Sequence, residues 1–508
     1  MKLERSKNTK RNIVIGEIDK ISGIILPFIV RTMIIHLIGA EYLGLTSLYY
    51  SILQALNLVE MGFGTAIIYS LYKPIAEEDT DTINALLRFY QKIYRISGCI
   101  IFGLGLIIMF FLPFLIKDEP PEDINIYYLY LIYLLNTCIN FFVYPNMKAL
   151  VTAHQRDDLS GRIHIFTQLG MYIMQMVFIY FARDYYLYAL MMPVSSLIYS
   201  ILCGRMAEKR YPDYRPNGEL DEELYKSIKK QVAGLLIRKL AILSRNAIDS
   251  IFVSAYLGLT ITAIYNNYYY ILDAVVMIIA VVKTSMAGGV GNSIATESVE
   301  KNLGDMKKID FLFMMIGGWC AAMLLCLYQP FMKLWVGEEM MLTFKFAALF
   351  SIYFYILKMS DIRTLYSESV GIWWEARYIS IAEAAANLIF NWLFIKFLGL
   401  SGIILATLIS YFAFNFIGGA VILFKKYFSF DDIKDYFIYH LKYSLIAGVI
   451  SAAAFWGISF IKIEGWGGLI IKGIASVVIV SLMYFMIYYK TRVFKDSIGL
   501  LIKKRENS

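Results

Sequence analysis

Apolar segments of about 20 residues recur along the whole chain, and that repetition limits what it can become. A bilayer's hydrocarbon core takes a helix of about that length, and such a helix satisfies its own backbone hydrogen bonds in lipid. We place fourteen spans at 14–37, 42–70, 90–116, 124–147, 163–182, 185–204, 231–257, 260–287, 309–332, 342–366, 377–396, 400–424, 440–461 and 466–489. The expected fold is an all-α integral membrane protein of about 14 transmembrane helices. Charged residues make up only 17% of the chain, against roughly 25% in soluble domains. The first apolar segment carries Glu17, Asp19 and Lys20 and no small-residue cleavage site, so we read it as a span rather than a signal peptide. Cys99, Cys138, Cys203, Cys320 and Cys326 lie in or beside spans without metal spacing, and we read them as unpaired thiols.

Basic residues set the topology. With the N-terminus inside, the outer loops hold five: Lys117, Arg183, Lys333, Lys396 and Lys462. The inner segments, counting the span ends beside them, hold 35 of the 48 Lys and Arg. Both termini are therefore expected in the cytoplasm. The net charge of +8 is this bias and gives no reason to expect nucleic-acid binding. The outer loops are short. The longest inner loop, 205–230, is rich in Pro, Gly and charge and follows the sixth span, where it reads as a linker.

Part of the second span returns later. "GAEYLGLTSLYYSILQA" (39–55) aligns without gaps on "GLTITAIYNNYYYILDA" (258–274), an offset of 219. Gly39/Gly258, Tyr49/Tyr268, Tyr50/Tyr269, Ile52/Ile271, Leu53/Leu272 and Ala55/Ala274 are identical, as are Lys20/Lys239 upstream. Six spans separate the copies, so both run the same way through the membrane. That is a parallel repeat. It predicts a six-helix bundle over 1–206, a linker over 207–230, a second bundle over 231–424, and two added helices with a cytoplasmic tail over 425–508.

Polar side chains inside the spans are candidates for function, because a charge at mid-membrane costs on the order of 3 kcal/mol even on insertion scales. Gln54, Asn57 and Glu60 recur every third residue in the second span, and Asp273 stands opposite Gln54 in the repeat. The ordinary role of the amides is hydrogen bonding between helices. The first span carries Lys20 and Arg31 on one face, with Pro27 between them; the seventh carries Arg238, Arg245 and Asp249, with Lys239 adjacent; Lys283 lies near the inner end of the eighth. Arg245 and Asp249 also have the spacing of an intrahelical pair. Lys20 and Lys283 are close enough to the inner surface to snorkel, whereas Arg31 lies toward mid-span. Together these cations point to a cleft suited to an anionic cargo, and arginine's fork suits phosphate in particular. Glu60, Asp249 and Asp273 are the candidates for coupling to H⁺ or Na⁺. Tyrosines such as Tyr49, Tyr50, Tyr265 and Tyr268 suit stacking on sugars, although packing and interface belts are their commoner use.

Residues 37–79, "LIGAEYLGLTSLYYSILQALNLVEMGFGTAIIYSLYKPIAEED", resemble the bacterial polysaccharide flippases, the O-antigen and capsule translocases. Residues 265–298, "YNNYYYILDAVVMIIAVVKTSMAGGVGNSIATES", are similar to that family's second-half segment. The resemblance runs the full length and implies the multidrug/oligosaccharidyl-lipid/polysaccharide exporter superfamily, a V-shaped pair of bundles and alternating access. The implied cargo is an oligosaccharide on undecaprenyl diphosphate, moved from the inner to the outer leaflet of the cytoplasmic membrane. Polysaccharide polymerase machinery is an implied partner, beside the membrane lipids; no cofactor is implied. Related flippases use arginines of the first, second and eighth spans. Lys20 and Arg31 fill that role in the first span here and Lys283 in the eighth. The second span offers no arginine, only Gln54, Asn57 and Glu60.

Two other functions compete. A multidrug exporter of the same superfamily would centre on acidic residues binding H⁺ or Na⁺ and a cationic drug. A membrane polysaccharide polymerase or ligase would need a substantial outer loop. The outer loops are short, and the four scattered histidines form no metal cluster or nucleophile–base spacing.

Overall fold

The computed structural model describes residues 5–57, 60–226, 228–229, 232, 247–372 and 374–506. Among these residues it is built of helices and has no strand. We number the helices α1 (Arg5–Leu37), α2 (Ala40–Leu56), α3 (Glu60–Glu77), α4 (Thr80–Met109), α5 (Ile126–Phe142), α6 (Pro145–Ala153), α7 (Asp157–Val177), α8 (Tyr185–Arg210) and α9 (Asp249–Leu257). There follow α10 (Leu259–Thr296), α11 (Val299–Val336), α12 (Phe344–Met359), α13 (Asp361–Val370), α14 (Arg377–Leu398), α15 (Leu400–Lys426), α16 (Ile433–Ser459), α17 (Gly465–Tyr488) and α18 (Arg492–Glu506). Nine of the described helices are long and apolar enough to cross a membrane, or ten if α5 and α6, bent by 56°, count as one span. The protein is a multi-pass membrane protein.

Among the described residues, helices cover the predicted spans and several overshoot at their inner ends; most of the seventh span, 231–257, lies outside the described residues. Span nine begins at 309 by hydropathy, but α11 begins at Val299; span three begins at 90, but α4 begins at Thr80; span eight ends at 287, but α10 ends at Thr296. Hydropathy marks where lipid stops. The i→i−4 ladder needs no lipid, so it continues into the charged segments until a cap ends it.

The caps and helix starts repeat at the offset seen in sequence. Ala40 and Leu259 start α2 and α10, Thr80 and Val299 start α4 and α11, and Glu77 and Thr296 end α3 and α10, each pair 219 residues apart. The starts Ile126/Phe344 and Asp157/Arg377 keep the spacing within one residue. Asp79 caps α4, accepting from the Thr82 N–H at 3.1 Å and the Thr82 hydroxyl at 2.6 Å, which hold its carboxyl below the usual range. Its counterpart Ser298 caps α11 by accepting from the Lys301 N–H. Gly39 and Gly258 both adopt positive φ, 145° and 96°, just before α2 and α10, a conformation other residues resist. The shared tyrosines have a packing role. Tyr49 and Tyr268 are fully buried. The Tyr49 hydroxyl donates to the Ile126 carbonyl at the start of α5, and that of Tyr268 to Gln329 Oε1, with Leu342, two residues before α12, donating its N–H back.

Contacts divide the chain into two compact units, Met1–Ala263 and Ile264–Ser508. In the first, α9 and the start of α10 are clamped by the loop 117–125 and by α2. Asp118 Oδ2 accepts the Leu259 N–H at 3.1 Å, and the Ser254 hydroxyl donates to the Leu115 carbonyl at 2.8 Å. Gly44 of α2 lies so close to the Leu259 backbone that a Cβ there would overlap it. In the second unit, α16 and α17 pack on α11 through Phe311, Ala322, Ile450, Ala454, Val480 and Tyr488.

One expectation fails locally. Gln54 and Asn57 do not share an uninterrupted α-helical stretch, because α2 ends at Leu56; residues 58 and 59, between Asn57 and Glu60, lie outside the described residues. Asn57 is the C-cap, its N–H bonded to the Leu53 carbonyl. Asparagine competes for backbone groups and favours such termini. Its counterpart in the repeat is Val276, and there α10 runs through unbroken.

Candidate functional site

In the first unit, polar residues of three helices face one another across a cavity of about 340 Å³. Asn136 and Asn140 lie one turn apart on α5, and Ser196 and Ser200 one turn apart on α8. Each serine donates to the facing asparagine, at 2.7 Å for Ser196–Asn136 and 3.1 Å for Ser200–Asn140. From α7, Thr167 and His164 line it as well, and Lys148 of α6 adds a cation. His164 Nδ1 lies 2.7 Å from Asp19 Oδ1 of α1. Hydroxyls and amides can regroup around a solute at little cost, because each both donates and accepts.

The cations of α1 are engaged. Lys20 pairs with Glu17 one turn earlier at 3.2 Å, half exposed, and borders a cavity of about 370 Å³ with Asn12, Tyr72, Thr152 and Asp157. Arg31 is partly buried, makes side-chain interactions, and lies within electrostatic reach of Tyr185 and Tyr188 of α8. Gln54 is partly buried near the end of α2, and the Asn57 side-chain oxygen is buried without a hydrogen-bond partner among the described residues. Asp249 opens α9 and is 2% exposed, with partners of its own; an acid suits that helix end. Arg245 and the side chain of Glu60 lie outside the described residues, as do Arg238 and Lys239.

In the second unit, Lys283 of α10 does not stand alone. Its ammonium lies 3.5 Å from Asp361 Oδ1, while Lys358 of α12 donates to Asp361 Oδ2 at 2.7 Å. The side chains of Lys358, Asp361 and Lys283 are 5%, 16% and 18% exposed. Two ammonium groups against one carboxylate leave one surplus positive charge in a largely dry place. Asp273 is partly buried on α10. A second network lies on α13, α14 and α15. Arg363 donates to Asn415 Oδ1 at 2.7 Å, and Asn415 donates to Glu383 Oε2 at 3.1 Å. Asn387 donates to Thr407 at 3.0 Å. Asn415 sits in a π-helical stretch, Tyr411–Gly418, whose widened turn redirects side chains, and Gly419 leaves room for the Arg363 guanidinium against the α15 backbone.

The sequence carried signals for residues that spacing did not bring forward. Lys358 and Asp361 are charges three residues apart inside an apolar run, and Glu383, Asn387 and Asn391 recur every fourth residue along α14, all buried. No group of three or more His, Cys, Asp or Glu among the described residues could hold a metal.

The fold and these polar interiors define a class: a helical, multi-pass membrane protein with polar groups inside its spans. The Lipid II flippase MurJ in an inward closed conformation matches with a TM-score of 0.63 at 13% identity, over 94% of this chain and 98% of that one. An inward-facing multidrug-resistance MATE transporter of the MOP superfamily matches with a TM-score of 0.60 at 12% identity, over 78% of this chain and 92% of that one. The eukaryotic MATE transporter AtDTX14 matches at 0.58 and 10% identity, over 85% and 98%. Among curated protein sequences none matches the chain. Residues 10–286 match the model of the polysaccharide biosynthesis protein family, and the chain belongs to that family.

Proposed function

We propose that this protein is a flippase that carries undecaprenyl-diphosphate-linked oligosaccharide from the inner to the outer leaflet by alternating access, for cell-surface polysaccharide such as O-antigen or capsule. The observation that carries the proposal is the surplus cation of the Lys283–Asp361–Lys358 group in a member of a polysaccharide biosynthesis family. A buried positive charge without an equal partner is expensive, and an anionic diphosphate offsets it. Lys20, Arg31 and Arg245 add cationic character, and Gln54 and Asn57 supply hydrogen bonds for the cargo's polar part. Cargo of this kind can leave its tail in the bilayer while diphosphate and glycan pass through protein.

In this proposal the halves are 1–206 and 231–424, joined by 207–230 and extended by 425–508. The protein sits in the bacterial cytoplasmic membrane with both termini inside, and works as a transporter rather than a polymerase or ligase. A cation-coupled drug exporter is the second reading, favoured by the fold likeness to MATE transporters. The test is reconstitution in vesicles with a labelled undecaprenyl-diphosphate oligosaccharide and, separately, a cationic dye. Export of the dye with no movement of the diphosphate lipid would reverse the assignment.

A further inference from the structure

One of the helices added after the repeat forms an ionisable pair with a helix of the second bundle, and the pair has no counterpart in the first half. Asp310 lies on α11 and His440 on α16, and each side chain is 1% exposed. At the offset of 219 the first half has Gln91 where Asp310 stands. His440 Nε2 lies 2.8 Å from Asp310 Oδ2, and the Tyr439 hydroxyl donates to the same oxygen at 2.9 Å. Neither ring nitrogen is in hydrogen-bonding geometry with a described group, and Asp310 Oδ1 is buried without a partner.

We propose that Asp310 and His440 form a proton-binding site, holding one exchangeable proton between them. Buried polar atoms are ordinarily satisfied, and those left over call for a reason. Here the left-over atoms are a ring nitrogen and a carboxylate oxygen, the two places where an added proton would go. With that proton absent the pair carries one negative charge; with it present the pair is neutral overall. Neither state is fixed by a closed network, unlike Arg363 and Glu383, which an amide bridges. The surroundings add little competing charge. Tyr436, Tyr439 and Tyr443 face the pair from α16 itself, Tyr355 from α12 and Tyr366 from α13, and Phe416 of α15 sets its ring 5.1 Å from the imidazole. Among the charged groups, Arg363 of α13 acts on Tyr436, one turn from His440. The imidazole also borders a largely apolar cavity of about 690 Å³, beside Ser351, Tyr355 and Ser444, so protein does not seal it on every side. Two coupled groups of this kind take up and release a proton as a unit.

The test needs no cargo, so its failure is separate from failure of the transport assignment. Infrared difference spectra of the purified full chain in lipid nanodiscs are recorded between about pH 5 and 8. A carboxyl band that grows with acid, vanishes in Asp310→Asn and shifts its midpoint in His440→Gln is the expected result. Tyr439→Phe removes the hydroxyl that donates to Asp310 Oδ2, so the carboxyl band changes frequency. This mild variant stays informative should the others fail to fold. A wild-type spectrum flat across the window, or a band unaffected by Asp310→Asn in folded protein, overturns the proposal.

Discussion

Substituting Asp361 separates the electrostatics of its cluster from the cluster's use. At 3.5 Å the Lys283–Asp361 attraction is roughly 5 kcal/mol gross at an effective permittivity near 20, and desolvation returns much of it. Asp361→Asn keeps the shape and leaves two ammonium groups facing each other without a counter-charge. Removing one partner of a buried pair costs about 3–5 kcal/mol; since Lys283 and Asp361 keep some exposure, the lower end, about 3 kcal/mol, is expected. Lys283→Met works in the other direction. It leaves the closer Lys358–Asp361 pair neutral, so stability should hold or rise slightly. Lys358→Met should fall between the two. Activity should follow a different order if, as proposed, the surplus charge holds the diphosphate: Lys283→Met, the most stable of the three, should export little glycan. Equilibrium denaturation in mixed micelles reads the first order, and flipping of labelled lipid-linked oligosaccharide in vesicles the second. An Asp361→Asn variant as stable as wild type would refute the buried-pair argument. Full export by both lysine variants would remove the cluster from the cargo path.

Arg31→Ala should abolish surface glycan while the protein stays in the membrane, and Arg31→Lys should keep part of the activity because charge survives but the fork does not; immunoblotting and glycan staining decide. Gly44→Leu has no space against the Leu259 backbone and should destabilise by about 1–3 kcal/mol, as overpacking does, read by the loss of monodisperse protein on heating. Glu60→Gln and Asp273→Asn should blunt the response of transport to an imposed pH or Na⁺ gradient; a rate indifferent to both gradients in wild type and variants alike would take these carboxylates out of coupling.

The helices were legible because lipid demands long apolar runs, and the repeat because a few identical residues have backbone or packing jobs. Gly39 and Gly258 both take positive φ, and Tyr49 and Tyr268 anchor the segments that open α5 and α12. Break points were not legible. Asn57 reads as one more polar residue in a stripe until it is seen capping α2, since spacing cannot tell a helix-facing amide from a terminating one. Ion pairing was hidden too. Lys20 has Glu17 one turn earlier, but Lys283 stands alone in sequence because Asp361 is 78 residues away. Asp310 and His440, 130 residues apart, look like charges at the ends of separate spans, and only the packing of α16 on α11 joins them.

A duplicated backbone with diverged interior residues explains why two similar halves need not do the same work. At the offset of 219, His164 stands where the second half has Glu383, Gln168 where it has Asn387, Ser196 where it has Asn415, and Tyr144 where it has Arg363. In the first set Ser196 bonds the amide of Asn136, as Ser200 does that of Asn140, and His164 faces Asp19; in the second, Asn415 joins a cation and an anion. Neutral pairs break and reform with small net cost, about 1 kcal/mol each. Ions drawn from water into a helix bundle do not, because separating them leaves charges unsolvated. The first half is therefore the one suited to yielding around a polar solute. The Arg363–Asn415–Glu383 group of the second is suited to holding α13, α14 and α15 together.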